Sequence, residues 1–220
     1  MDKLIALTFD DGPNTEITPQ VLDLLEEHGI VASFFLIADS ITPESAEMVR
    51  RARAMGCEIN NHSRTHGFMD KMPPEQIRRE IDFCTERIVE LTGERPRFFR
   101  PPYIAVNQTL FDQIPELTFI CGVGCEDWVL QVPAEERAER VLADAKDGNI
   151  VLLHDMPGNV NTVEALKTII PELKRRGFRF VTCGQLFDEK GITPHHDWLY
   201  SNVLQDWECR DRGTEHEWKA

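Results

Sequence analysis

Short apolar runs punctuate the chain at residues 4–9, 32–37, 57–60, 97–100, 118–123, 150–154 and 179–183, each the length of a buried strand. Between them the apolar residues return every third or fourth position. Val21, Leu22, Leu24 and Leu25 form one such stripe and Ala165, Leu166, Ile169, Ile170 and Leu173 another, the period of a helix packed by one face. Thr18-Pro19 and Thr42-Pro43 offer a capping hydroxyl before a proline suited to a first helical turn, and Asn161-Thr162-Val163-Glu164 has capping-box spacing. Gly29, Gly56, Gly93 and Gly177 stand where four helices should stop. Alternating strand and helix build a parallel sheet, and about seven such strands in 220 residues predict a single α/β domain, a closed or nearly closed (β/α) barrel. In that architecture the chemistry gathers at the C-terminal ends of the strands.

From about residue 195 the pattern loses its period. The expected organisation is a catalytic domain over residues 1–190 and an acidic extension over 191–220 packed on the barrel, because Trp198, Trp207 and Trp218 are too many aromatics for a disordered tail. A net charge of -14 argues against nucleic acid or anionic membrane as a partner and favours a neutral or cationic substrate. No run reaches transmembrane length, and Met1-Asp2-Lys3 passes straight into a strand without a secretory pattern, so the expected location is the cytoplasm. The six cysteines, at 57, 84, 121, 125, 183 and 209, are scattered in mostly apolar contexts and read as reduced thiols rather than metal ligands or disulfides.

Five polar segments lie at the ends of the strand-like runs: Thr8-Phe9-Asp10-Asp11-Gly12-Pro13-Asn14, Asn61-His62-Ser63-Arg64-Thr65-His66, Arg100-Pro101-Pro102-Tyr103, Glu126-Asp127-Trp128 and Leu152-Leu153-His154-Asp155. Singly, each has an ordinary explanation as a solvated turn, a pair of loop histidines, a surface arginine or a core histidine. Together they supply the groups of a metal-assisted hydrolase. Two adjacent carboxylates leave a strand end in different directions, so one can bind a metal while the other addresses water. His62 and His66 share a face if the segment turns helically, and with Asp11 they make three protein ligands with positions left open, as in catalytic zinc sites. Arg100, directly after two phenylalanines, should face inward and require a carboxylate, for which Asp10 is the natural candidate. His154 tips an apolar strand, and Asp127 could fix its tautomer, raise its pKa and make it a general acid.

In order and in residue detail these segments resemble the motifs of the NodB-type polysaccharide deacetylases, carbohydrate esterase family 4, over residues 4–186. The resemblance implies a deformed (β/α) barrel and an enzyme that removes acetyl groups from N- or O-acetylated oligo- or polysaccharides of the chito-oligosaccharide, acetylxylan or peptidoglycan type, through a metal-activated water. It implies one divalent ion, usually zinc, with cobalt, nickel, iron or manganese as alternatives, held by Asp11, His62 and His66. Asp10 would be the base, tethered by Arg100, and His154 the acid, paired with Asp127. The Tyr103 N–H would meet the oxyanion, and Pro101, Tyr103, Trp128 and Leu152 would line the substrate pocket. Two departures alter the groove wall: Ile104 stands where a glycine commonly follows the tyrosine, and Gly122-Val123-Gly124 replaces a Trp- and Asp-bearing stretch. Two other readings are hydrolysis of a non-sugar amide or imide, and a silent glycan-binding module, which would have no use for Asp10, Arg100 or His154.

Overall fold

The structure, a computed structural model, describes residues 2–205; Trp207, Cys209 and Trp218 lie outside the described residues. Strands β1 (Lys3–Asp10), β2 (Ser33–Leu36), β3 (Glu58–Asn61), β4 (Phe98–Phe99), β5 (Thr118–Ile120), β6 (Val123–Gly124), β7 (Asn149–His154), β8 (Phe178–Phe180) and β9 (Leu199–Tyr200) form one sheet. Its order is β6-β7-β1-β2-β3-β4-β5-β9. Every pairing is parallel, and β8 and β2 share one edge of β1, β8 along Lys3 to Ile5 and β2 along Thr8 to Asp10. Helices α1 (Thr18–Glu27), α2 (Ala46–Ala54), α3 (Pro74–Thr92), α4 (Gln108–Gln113), α5 (Ala134–Asp144), α6 (Val160–Arg175) and α7 (Cys183–Lys190) connect them. The expected deformed barrel is the observed architecture, with short β6 and β9 added to the seven anticipated strands.

Period-two alternation divides β1 and β7 between two of the three buried clusters. Ile5, Leu7 and Phe9 of β1 and Val151 and Leu153 of β7 pack outward against the helices, in one cluster with Val21, Leu25, Leu166 and Ile170. Leu4 and Ala6 of β1 and Ile150 of β7 join Phe35, Phe98 and Ile120 in the other cluster. Continued along the same faces, the alternation carries Thr8, Asp10, Leu152 and His154 to the barrel mouth.

The run expected as one strand over 118–123 is broken at Cys121-Gly122. Its first part pairs with β4 and its second with β7, so the break is where the barrel closes. Gly122 takes φ 102°, and a Cβ there would lie 2.9 Å from the Leu152 Cβ and 3.1 Å from an Arg100 Nη. Only glycine fits. Below the break the C-terminal segment fills the opening: β9 pairs with β5, the Ile150 N–H donates to the Ser201 carbonyl, and Asn149 bridges Asn202 antiparallel.

Three caps differ from expectation. α1 begins at Thr18 itself, whose hydroxyl turns to Asp155 instead of capping. α2 starts at Ala46, after Thr42 and Ser45 bond each other's N–H groups reciprocally. Asn161 and Thr162 lie within α6, their side chains spent on the carbonyls of Leu130 and Val132 and on Asp127. In α1 and α6 a tertiary partner outbids the local cap, whereas before α2 the exchange between Thr42 and Ser45 is local.

Asn202 is buried, donating to the Asp147 carbonyl and Asn149 Oδ1 and accepting from the Leu204 N–H. Asn202→Ala is expected to lower stability by about 1–3 kcal/mol, the usual cost of orphaning buried polar groups, read as a drop in the urea midpoint at unchanged slope.

Candidate active site

β1 and β7 are paired with Asp10 opposite His154, so the two strand ends deliver a carboxylate and an imidazole side by side. Arg100 follows β4, three strands further round the sheet from β1. It is fully buried, and its Nη1 donates to Asp10 Oδ1 at 2.5 Å while its Nη2 donates to Thr8 Oγ1 at 2.8 Å. The guanidinium carbon lies 4.3 Å from the centre of the Phe35 ring, and the expected Arg100–Asp10 pairing is the one observed.

His62 follows β3 and His66 lies in the loop beyond it. The loop is not helical: Ser63 and His66 adopt φ 70° and 58°, and the Ser63 hydroxyl accepts from the His66 N–H. The imidazoles converge by this route instead, with Nε2 of His62 at 3.5 Å and Nε2 of His66 at 3.4 Å from Asp11 Oδ1. Donors bound at 2.0–2.1 Å to one small tetrahedral cation sit roughly 3.4 Å apart. His62 Nδ1 lies 2.6 Å from the Arg100 carbonyl, which can only accept, so the proton is on Nδ1 and Nε2 presents a lone pair. Asp11 Oδ1 is buried and has no hydrogen-bond partner among the described residues. Burial alone would raise the Asp11 carboxyl, but the imidazole of His62 beside it, with those of His154 and His66, holds it at about 2. Burial and the neighbouring His62 push His66 below its ordinary value, towards the neutral ligand form. An ionised carboxylate, two imidazole nitrogens and an orphaned oxygen at this spacing fit a divalent cation.

His154 faces this group, its Nδ1 2.8 Å from Asp127 Oδ1. Asp127 is fully buried, and its other oxygen accepts from the His154 N–H at 2.7 Å and the Thr162 hydroxyl at 2.9 Å. Burial by itself would lower the His154 pKa, but the charge and hydrogen bond of Asp127, with the charges of Asp10 and Asp11, raise it to about 9. Behind Asp127 stands Arg137, also fully buried, bonding Asn159 Oδ1 at 2.5 Å and Thr162 Oγ1 at 2.8 Å.

Leu152, buried on the face of β7 that carries His154, and the Trp128 ring, edge-on to His154 with centroids 5.7 Å apart, form one side of the mouth. On the other side Pro101 is buried and opens the turn that carries exposed Tyr103. Tyr103 adopts φ 59°, ψ 12° and Ile104 φ 52°, a left-handed pair without glycine that costs roughly 1–2 kcal/mol per residue. The Tyr103 N–H bonds no described residue.

Sequence reasoning passed over Arg137, Asn159, Thr162, Asp155 and Phe68. Asp155 immediately follows His154; it is fully buried, accepts from Thr18 Oγ1 at 2.5 Å, and lies where a Cβ on Gly12 would stand 2.5 Å from its Oδ2. Gly12 is therefore required beside Asp11. Burial, together with the charges of Asp11 and Asp10, pushes the Asp155 carboxyl up to about 7. Its place in the His-Asp pair was a usable signal. Arg137 carried none, since it sits among the charges of α5.

Isothermal titration of the metal-stripped chain with Zn2+ is expected to give one site per chain, and His62→Ala or His66→Ala to weaken it at least about tenfold, since losing even a group that only orients a metal ligand costs that much. Undiminished affinity in the double histidine variant would place the ion elsewhere.

Comparison with known proteins bears on this arrangement. A family model described as polysaccharide deacetylase matches residues 1–120. The chain is 48% identical over 202 residues to a bifunctional xylanase/deacetylase of Pseudobutyrivibrio xylanivorans, a match covering 91% of the chain and 33% of that protein, so the chain spans about a third of that relative. Among solved structures, the Xyl-CE4 domain of a multidomain xylanase from the hindgut metagenome of Trinervitermes trinervoides superposes with a TM-score of 0.91 at 42% identity, covering 94% of this chain and 100% of the other. A family 4 acetyl xylan esterase from Clostridium thermocellum, solved with a cobalt ion, gives 0.89 at 40% identity, covering 92% and 100%. With the Asp-His-His group and the barrel of these relatives, the chain belongs to the polysaccharide deacetylase family, the family 4 carbohydrate esterases.

Proposed function

We propose that the chain hydrolyses acetyl groups from a neutral acetylated polysaccharide of the acetylxylan type, with a divalent ion, zinc by preference, on Asp11, His62 and His66. The observation that carries this reading is the in-register pairing of Asp10 with His154 beside that ligand group. When bound, the ion would polarise the acetyl carbonyl and acidify water.

The remaining work falls to side chains. Arg100 occupies Asp10 Oδ1, which leaves Oδ2 to take a proton from the attacking water. As the water oxygen bonds to the carbonyl carbon, the Tyr103 N–H is free to donate to the developing oxyanion. Asp127 engages His154 Nδ1, so Nε2 carries the proton given to the sugar oxygen as the carbon–oxygen bond breaks. Acetate and a free sugar hydroxyl result.

Two features favour a neutral sugar chain. The net charge is -14, which repels anionic wall polymers. Of six exposed bulky apolar side chains among the described residues, Phe68, Tyr103, Val129, Leu130 and Val160 all follow strands that end at the site, offering apolar faces to sugar rings. The names of the three relatives above, a xylanase/deacetylase, a xylanase domain and an acetyl xylan esterase, support the same choice.

The deciding assay is acetate release from acetylated xylo-oligosaccharides, chito-oligosaccharides and peptidoglycan, expected to be fastest on the first; faster release from peptidoglycan would overturn the substrate assignment. Asp10→Asn should lose about 10²–10⁴ in kcat, the worth of a general base, while still binding metal.

Activity is also expected to fall with rising pH as His154 loses its proton. Its folded pKa of about 9 lies above the ordinary 6.5, so the protonated acid persists through neutrality and is lost on the alkaline side. A bound cation offsets part of the Asp10 and Asp11 charge, which places the limb at or below 9. Asp127→Asn should move it at least about one pH unit lower; a limb that stays put would separate Asp127 from the acid.

A further inference from the structure

The turn that carries Tyr103 needs something to hold it. Two successive residues with side chains stand in the left-handed region, and Ile104 at φ 52° is β-branched, the kind of residue that conformation tolerates least. Hydrogen bonds from the Ile104 N–H to the Pro101 carbonyl at 2.9 Å and from the Ala105 N–H to the Pro102 carbonyl at 3.2 Å close the turn, but neither engages the Tyr103 N–H.

The Tyr103 ring is held from the side. Phe68, in the loop after β3, stacks on it with centroids 4.0 Å apart and planes 13° apart, while His66 meets it edge-on at 4.7 Å. Lys71 Nζ lies 4.4 Å from the centre of the Phe68 ring. Phe68 is 47% exposed, and the stack on Tyr103 and the Lys71 ammonium are what its ring meets in the structure. The loop that brings His66 to the metal-ligand group thus also brings the ring that fixes Tyr103.

Resting on the deacetylase reading, we propose that Phe68 is a positioning residue: through the Tyr103 ring it keeps the Tyr103–Ile104 backbone in the conformation that leaves the Tyr103 N–H free for the substrate oxyanion. Phe68 need not touch the acetyl group to act.

The test uses the zinc-loaded chain, its Phe68→Ala and Phe68→Tyr variants, and Phe68→Ala combined with Ile104→Gly. Two substrates are compared: acetylated xylo-oligosaccharide, and 4-nitrophenyl acetate, which carries the acetyl group without a sugar chain. Phe68→Ala is expected to lower kcat about tenfold on both substrates, a fraction of what deleting an oxyanion donor costs, with KM within about threefold of the parent. Phe68→Tyr should restore the rate, and Ile104→Gly should recover most of it in the alanine background, because glycine holds a positive φ without steric cost. A loss confined to the oligosaccharide, with KM raised, would make Phe68 a sugar contact and overturn the proposal. Hydrogen exchange of the peptide spanning residues 101–105 reads the turn without turnover: it should quicken in Phe68→Ala and return to the parent rate in Phe68→Tyr, and unchanged exchange in the alanine variant would also overturn it. Absence of acetate release by the parent chain would defeat the deacetylase reading, and the exchange measurement would still decide whether Phe68 holds the turn.

Discussion

Taking a guanidinium wholly out of water costs several kcal/mol unless its charge and donors are met within the protein, and the barrel mouth is organised around meeting that demand for Arg100. Asp10 supplies the counter-charge, Thr8 a hydroxyl and Phe35 a ring face, all from neighbouring strands. Arg100 Nε has no hydrogen-bond partner among the described residues. The same residue acts through its backbone as well, since its carbonyl accepts a hydrogen bond from His62 Nδ1–H and leaves the Nε2 lone pair towards Asp11. One residue thus orients the carboxylate proposed as base with its side chain and a metal-ligand imidazole with its main chain. Displacing it would disturb both halves at once.

A second buried arginine plays the corresponding part on the opposite side. Arg137 draws Asn159 and Thr162 together beneath Asp127, and also bonds the carbonyls of Val129 and Val132. The loop that presents Trp128 is therefore pinned to the support of the His154–Asp127 pair. Both arginines are rigid forks of donors, suited to holding several acceptors at fixed angles.

Much of this was legible from residue order because strand alternation is a strict rule. Once β1 and β7 are recognised, period two places Thr8, Asp10, Leu152 and His154 on one face, and an arginine after Phe98-Phe99 has to turn inward and find a carboxylate. Loop geometry was not legible in that way. The His62–His66 spacing suggested a helical turn, whereas the chain uses left-handed Ser63 and His66, a choice of backbone that residue spacing does not encode. Long-range partners were likewise hidden: Thr18 reads as a cap until Asp155 is seen beside it, and Arg137 looks like one more charge of an exposed helix. A boundary drawn at residue 190 from loss of period leaves out Leu199–Tyr200, because a two-residue strand is too short to show any period.

The register of Asp10 with His154 has a consequence for how such a site can change over evolutionary time. The two residues sit on adjacent strands, so the separation of their backbones is set by the hydrogen-bonded ladder, about 4.8 Å, and not by any loop. Phe68, Tyr103, Val129 and Leu130 all lie on connections outside that ladder. Insertions and substitutions can accumulate in those connections, redrawing which chains the mouth admits, while the spacing of the proposed base and acid is left as it was. Innovation in specificity and conservation of chemistry are thereby assigned to different parts of the backbone, and a lineage can explore the first without placing the second at risk.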